Sequence, residues 1–270
     1  MLDFLQFEFM RNAILAGVLV SIACGIIGSL IVVNRIVFIS GGIAHAAYGG
    51  IGLAFFLGFS PYLGAAFFAL AVSMVMGIVS SNRKHRADTI VSVLWAVGMA
   101  LGIVFVDMTP GYNVDLMSFL FGSILTVPGT DILFMVPLDL FILITVSAFY
   151  KEFTAISYDE EFAFVVGIPV KLFYFVLMGM TAIAVVMTIR VVGLILVIAL
   201  VSIPPYIAEK YTRSLGEMML VSCFLGVLFT LVGLWLSYRY DLTSGATIIL
   251  VSGAAFFISH GLGMIRKAGS

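Results

Sequence analysis

One imidazole inside an otherwise apolar run is the first feature of this chain that could do chemistry. From Ser40 to Gly58 the sequence reads Ser-Gly-Gly-Ile-Ala-His-Ala-Ala-Tyr-Gly-Gly-Ile-Gly-Leu-Ala-Phe-Phe-Leu-Gly, apolar enough to enter a membrane yet carrying His45 deep inside. On a helix Gly41, His45, Tyr48, Gly49 and Gly52 share one face, through steps of three and four. A polar side chain at such depth faces a bundle interior or a wet cavity, because exposing it to hydrocarbon is costly. Small residues above and below the imidazole leave space beside it. The face therefore reads as the wall of a cation pathway, against the blander reading of a packing histidine bonded to a neighbouring helix. Gly42, Ala46 and Gly50 form a small-xxx-small row suited to close helix contact, and the glycines here read as packing residues rather than hinges.

Other candidates are weaker. Asp115 and Asp241 fall at ends of apolar runs, where a carboxylate could attract an arriving cation or simply be solvated. Asp107 and His260 carry less, and His85 sits among basic loop residues. Met178, Met180 and Met187 would suit a soft ion but read more simply as filler. No Gly-x-x-x-x-Gly-Lys-Ser/Thr loop occurs, nor a nucleophile elbow, a His-Glu-x-x-His or a Cys-x-x-Cys, so nothing points to an enzyme.

The elements that must position His45 follow from composition. Of 270 residues, 63% are hydrophobic and 10% charged, with net charge −1 and mean hydropathy +1.23. This is the profile of an all-α integral membrane protein, with runs near the ~20 residues that cross a bilayer. The absence of a basic block argues against nucleic acid. Cys24 and Cys223 read as packing residues, not as a disulfide. Asp3 and Glu8 precede a run too long for a signal peptide, so no cleavage is expected.

Nine spans are expected, at about 12–33, 36–58, 62–80, 89–106, 132–150, 171–189, 192–208, 217–237 and 245–263, forming a single transmembrane domain over 1–270. Pro204 and Pro205 should break the helical bonding of the seventh. The segment 115–126 is too short to cross and fits a re-entrant or interfacial helix. The basic loop 81–88 belongs in the cytoplasm by the positive-inside rule, and parity then places 151–169, 209–216 and the C-terminus inside and the N-terminus outside.

Within the polar interruption 151–169, Ser157 and Glu160 form a Ser-x-x-Glu capping box, and Asp159, Glu160 and Glu161 suit a helix N-terminus. Gly167 and Pro169 give a stop signal. A short helix over about 158–166 is expected, with Tyr158, Phe162 and Val165 on one apolar face that needs a partner.

The run Asn34-Arg35-Ile-Val-Phe-Ile-Ser-Gly-Gly-Ile-Ala-His45-Ala-Ala-Tyr-Gly-Gly50 resembles the second-helix motif of permease subunits of the zinc/manganese/iron ABC importers. The likeness continues through Leu116–Leu125, Tyr158–Pro169, Val192–Pro205 and Tyr240–Leu250, in order and over nearly the whole chain. It implies a type II importer-like permease in a plasma or inner membrane. This permease would be a dimer, usually of two identical copies, docked on cytoplasmic ABC ATPase subunits and fed by an extracytoplasmic metal-binding protein. ATP would be hydrolysed on the separate subunits, and no cofactor would be bound permanently. The cargo would be a divalent metal ion. The resemblance also implies that 115–126 is a gating helix and that 158–166 contacts the ATPase through Tyr158, Asp159, Glu160, Glu161, Phe162, Val165 and Gly167.

One departure matters. Many family members carry an Asp four residues before the motif His, and here that position is Gly41. A single imidazole suits zinc slightly better than manganese or iron, which use His beside oxygen ligands. Two other classes stay open: a siderophore or corrinoid permease of the same fold, whose chains are longer, and an ion-coupled secondary transporter. The latter would want intramembrane carboxylates, which the spans almost lack.

Overall fold

The computed structural model describes residues 7–82, 87–110, 122 and 124–268. The architecture is all-helical among these residues: α1 (Glu8–Val33), α2 (Val37–Leu57), α3 (Pro61–Asn82), α4 (Ala87–Asp107), a 3₁₀ turn (Ile124–Thr126), α5 (Gly129–Ala148), α6 (Tyr150–Tyr158), α7 (Glu160–Val165), α8 (Val170–Glu209), α9 (Leu215–Tyr240) and α10 (Ser244–Ala268). Nine spans among the described residues are long and apolar enough to cross a membrane, α8 supplying two, Val170–Ile189 and Val191–Glu209. Apolar runs of bilayer length with few charges dictate this result. Asp115 and nearly all of the 115–126 segment lie outside the described residues, as do 83–86 with His85.

Two expectations need refining. Pro204 and Pro205 remove helical donors from the seventh span without ending it, since the helix runs through them to Glu209. The boundary between the sixth and seventh spans, expected near residue 190, falls at Gly193, with φ 78° and ψ 171°, a backbone conformation reserved for glycine. Without it the 40 residues of α8 would be a rod of about 60 Å, twice the hydrocarbon thickness. With it the chain folds back: the first arm packs Phe175 on Gly77 near one end of α3, and the second packs Val201 and Pro205 on Gly28 of α1 at the same end of the bundle. Proline at 205 leaves the Val201 carbonyl without its helical donor, and the glycine at 28 lets α1 approach that carbonyl directly.

The second correction concerns 151–169. Lys151–Ser157 is helical, within α6, and the cap of the next helix is Asp159, whose Oδ1 accepts from Phe162 N at 2.9 Å. Ser157 is not a cap. Its hydroxyl accepts from Asn34 Nδ2 at 2.9 Å, a long-range tie that outcompetes the local one. Gly167 ends α7 in the left-handed conformation, φ 88°, with Ile168 N bonded back to Ala163 O at 3.0 Å.

α1, α2 and the second arm of α8 are central, with 72%, 78% and 72% of their spans buried, against 22% for α4 and 28% for α5. The outer helices present apolar side chains outward, Leu133 and Phe134 on α5 and Leu220 and Phe224 on α9 among them, as lipid-facing helices do.

Candidate functional site

α2 holds His45 in the middle of the bundle by glycine packing on two sides. On the α4 side, a Cβ at Gly49 would lie 2.8 Å from Gly98 O, while Gly52 meets the Gly102 carbonyl. On the α3 side Gly50 and Gly64 pack backbone to backbone, and a Cβ at Gly42 would meet both Met76 of α3 and Val91 of α4. These approaches bring peptide groups into van der Waals contact, the geometry that small-residue rows permit in a membrane. Gly41 differs, since a Cβ there would meet only Ile198 at 3.6 Å and Trp95 at 4.0 Å. It faces the seam between α2, α4 and the second arm of α8.

His45 is half-buried on that seam. The space that small neighbours leave beside it is filled by Trp95 of α4, whose rings lie parallel to the imidazole with centroids 4.1 Å apart and an interplanar angle of 8°. Trp95 also leans on Phe38, 6.0 Å away. The His45 Nδ1 is buried and accepts no protein hydrogen bond. The imidazole is thus oriented by stacking while its polar capacity is left unspent.

The other candidates are not gathered around it. Asp241 is the exposed left-handed C-cap of α9, φ 53°, and α9 packs on α1, α8 and α10, whereas α2 packs on α3, α4 and α8. Among the described residues no group of three or more His, Cys, Asp or Glu comes together to hold a metal ion.

One functional-looking residue escaped sequence reading. Asp139, in the middle of α5, is 7% exposed, and both carboxylate oxygens are buried without a hydrogen-bond partner. It lies near Cys24 of α1 and Cys223 of α9. Those thiols are free, Cys24 Sγ being 3.7 Å from Thr188 Oγ1. The polar residue in an apolar 20-residue span was the available signal.

At one end of the bundle α6 and α7 form an elbow. Tyr158, Phe162, Phe164 and Val165 are 68%, 59%, 73% and 81% exposed, while Ala163 is buried against the bundle. Asp159, Glu160 and Glu161 rim a cavity of about 850 Å³ beside this helix, with Lys171 and Tyr174 on its far wall. Two bonds fasten the elbow: Asn34 to Ser157, and Gly216 N donating to the Tyr150 hydroxyl at 2.9 Å. Asn34 lies just before α2, three residues from its first turn.

Comparison with known proteins agrees with this arrangement. Residues 6–262 match the ABC 3 transport family. The chain is 52% identical to an uncharacterised membrane protein of Synechocystis sp., over 96% of this chain and 92% of that one. It is 31% identical to the manganese transport system membrane protein MntC of Halalkalibacterium halodurans, over 97% and 91%. Among solved structures, PsaBC from Streptococcus pneumoniae in complex with Fab superposes with a TM-score of 0.85 at 30% identity, covering 96% of this chain and 93% of that one.

Proposed function

This chain belongs to the ABC 3 transport family, as the membrane permease subunit of an ATP-driven importer for a divalent transition metal ion, and we propose that His45 is the residue its cargo meets inside the membrane. The observation that carries this reading is the imidazole itself, stacked flat on Trp95 with a buried Nδ1 left unbonded. A path through such a bundle must bind its ion weakly, since a tight site would stop turnover. One neutral ring nitrogen per chain meets that demand.

The chain works as a pair of identical copies in a plasma or inner membrane, its N-terminus outside and its C-terminus in the cytoplasm. An extracytoplasmic binding protein delivers the ion, and two cytoplasmic ATPase subunits seat the exposed face of α7. Closure of those subunits moves the elbow, and the Asn34–Ser157 bond passes the motion to the start of α2. Two packings of the same helices then expose the His45 seam to one side or the other.

Trp95 lying flat on the imidazole at 4.1 Å leaves no room beside it for a siderophore or corrinoid, which favours a bare ion. Asp139 alone, with thiols for neighbours, makes no relay of the kind an ion-coupled carrier needs. Relatives named for manganese move the choice of cargo from zinc towards manganese, which accepts a lone imidazole beside water oxygens. The test is cellular metal content by elemental mass spectrometry, with the gene intact, deleted or restored, in medium with trace Zn, Mn and Fe. One metal should fall on deletion and recover on restoration. No change in any metal, with other importers removed, would sink the reading.

A further inference from the structure

A cavity of about 460 Å³ opens at the Arg35 end of the bundle, lined by Arg35 and Val37 at the start of α2, Ser202, Ile203, Tyr206 and Glu209 on the second arm of α8, and Phe256 of α10. Its position along the helices gives it meaning. Val37, Gly41 and His45 follow at steps of four on α2, so the cavity begins about 12 Å below the imidazole along the same side of that helix. On α8, Ile198, Ser202 and Tyr206 also follow at steps of four. The seam closes where Ile198 meets Gly41, and one turn further on, at Val37 and Ser202, it opens into the cavity. The stations in order are His45 on Trp95, an apolar constriction at Ile198, and a chamber walled mainly by valine, isoleucine and aromatic side chains whose polar groups are Arg35, Ser202, Glu209 and the Tyr206 hydroxyl.

We infer that this cavity is the cytoplasmic exit chamber of the ion path, with Glu209 the carboxylate at which the departing cation regains oxygen ligands. The inference rests on the importer reading of the previous section. A divalent ion leaving an imidazole has shed much of its water and needs hard donors to cross the last stretch. The chamber supplies the Ser202 hydroxyl and the Glu209 carboxylate, the latter in the last turn of α8, where the helix dipole also favours a cation. The mouth carries opposing charge as well. Arg35 lines the chamber, and Lys210 Nζ sits 4.6 Å from the Tyr206 ring and 5.8 Å from that of Phe256. These cations keep residence at Glu209 short and oppose return of the ion from the cytoplasm, which is the asymmetry an importer needs at its inner end.

Two variants test the inference. Glu209→Gln should lower the maximal rate of manganese uptake about tenfold, the factor that a loss of about 1.4 kcal/mol gives. The manganese concentration giving half that rate should not change, since loading occurs at the other end. Glu209→Asp should restore most of the rate. Protein amount in membranes and retention of the ATPase subunits control for folding. Wild-type uptake by Glu209→Gln overturns the inference while leaving the importer reading intact, because wild-type and deleted cells would still differ. Ser202→Cys provides the second arm, independent of transport. Its thiol should react with a charged, membrane-impermeant methanethiosulfonate in inverted vesicles and not in right-side-out ones, with the unsubstituted chain giving the background from Cys24 and Cys223. Reaction only from the outer side, or from neither, overturns the inference as well.

Discussion

The His45 seam and the α6–α7 elbow are opposite solutions to placing a functional residue in a membrane protein. Around His45 the neighbouring turns of α2 are mainly glycine and alanine, and the imidazole is fixed by Trp95 packed flat against it. On the elbow Val165 and Phe164 are 81% and 73% exposed, and little of the helix except Ala163 is held by its own bundle. The first region is complete within the chain. The second is half of an interface. Substitutions should therefore act through folding in the seam and through assembly on the elbow.

The largest effect should come from the glycine contacts. A Cβ at Gly52 collides with the Gly102 carbonyl, whereas one at Gly253 meets nothing within 4 Å. Gly52→Val should cost about 3 kcal/mol or more and yield little folded protein. Gly253→Ala should melt within about 1 kcal/mol of the parent, on the stabilising side. Thermal unfolding of the purified permease in detergent measures both, and equal melting would erase the distinction drawn between central and peripheral helices.

On the elbow the converse holds. Val165→Asp should leave melting unchanged and lower co-purification of the ATPase subunits by at least about tenfold, because it puts a charge at the centre of an apolar contact. Loss of stability without loss of partner would invert the comparison.

Much of this was legible in sequence. The nine spans are set by hydropathy over bilayer-length runs, and a short, glycine-stopped helix expected over 158–166 by local chemistry; it runs over Glu160–Val165, capped by Asp159. The turn between the sixth and seventh spans was legible near residue 190, but not that Gly193 would make it, because one glycine among the many in apolar runs carries no mark of which will turn the chain. Ser157 was misread because its partner, Asn34, is 123 residues away. Trp95 was passed over for the same reason: its role depends on α2 lying beside α4, a tertiary fact that one helix does not announce. Asp241 shows the reverse. Its place at a span end was readable, yet it serves as a left-handed helix cap on a helix that packs elsewhere.

A sharper probe of the seam is Trp95 itself. Trp95→Leu should free the imidazole and reduce manganese uptake about fivefold, while Trp95→Phe, which keeps a ring to stack on, should cost about twofold; the stacking is worth about 1 kcal/mol. Uptake rates at matched protein levels read the difference, and equal losses would assign Trp95 to packing alone. The smallest effect should be at Asp139. Asp139→Asn keeps shape and polarity in a site where neither carboxylate oxygen is bonded, so melting should move by less than about 1 kcal/mol and uptake by less than about twofold.

The central claim, that the cargo passes along His45, is tested most directly by radioactive manganese uptake in cells carrying the parent chain, His45→Ala or no permease, with membrane protein levels matched. Uptake by His45→Ala at the level of cells without the permease, with ATPase subunits still bound, is the predicted result. Uptake equal to the parent would contradict it and return His45 to the role of a packing residue.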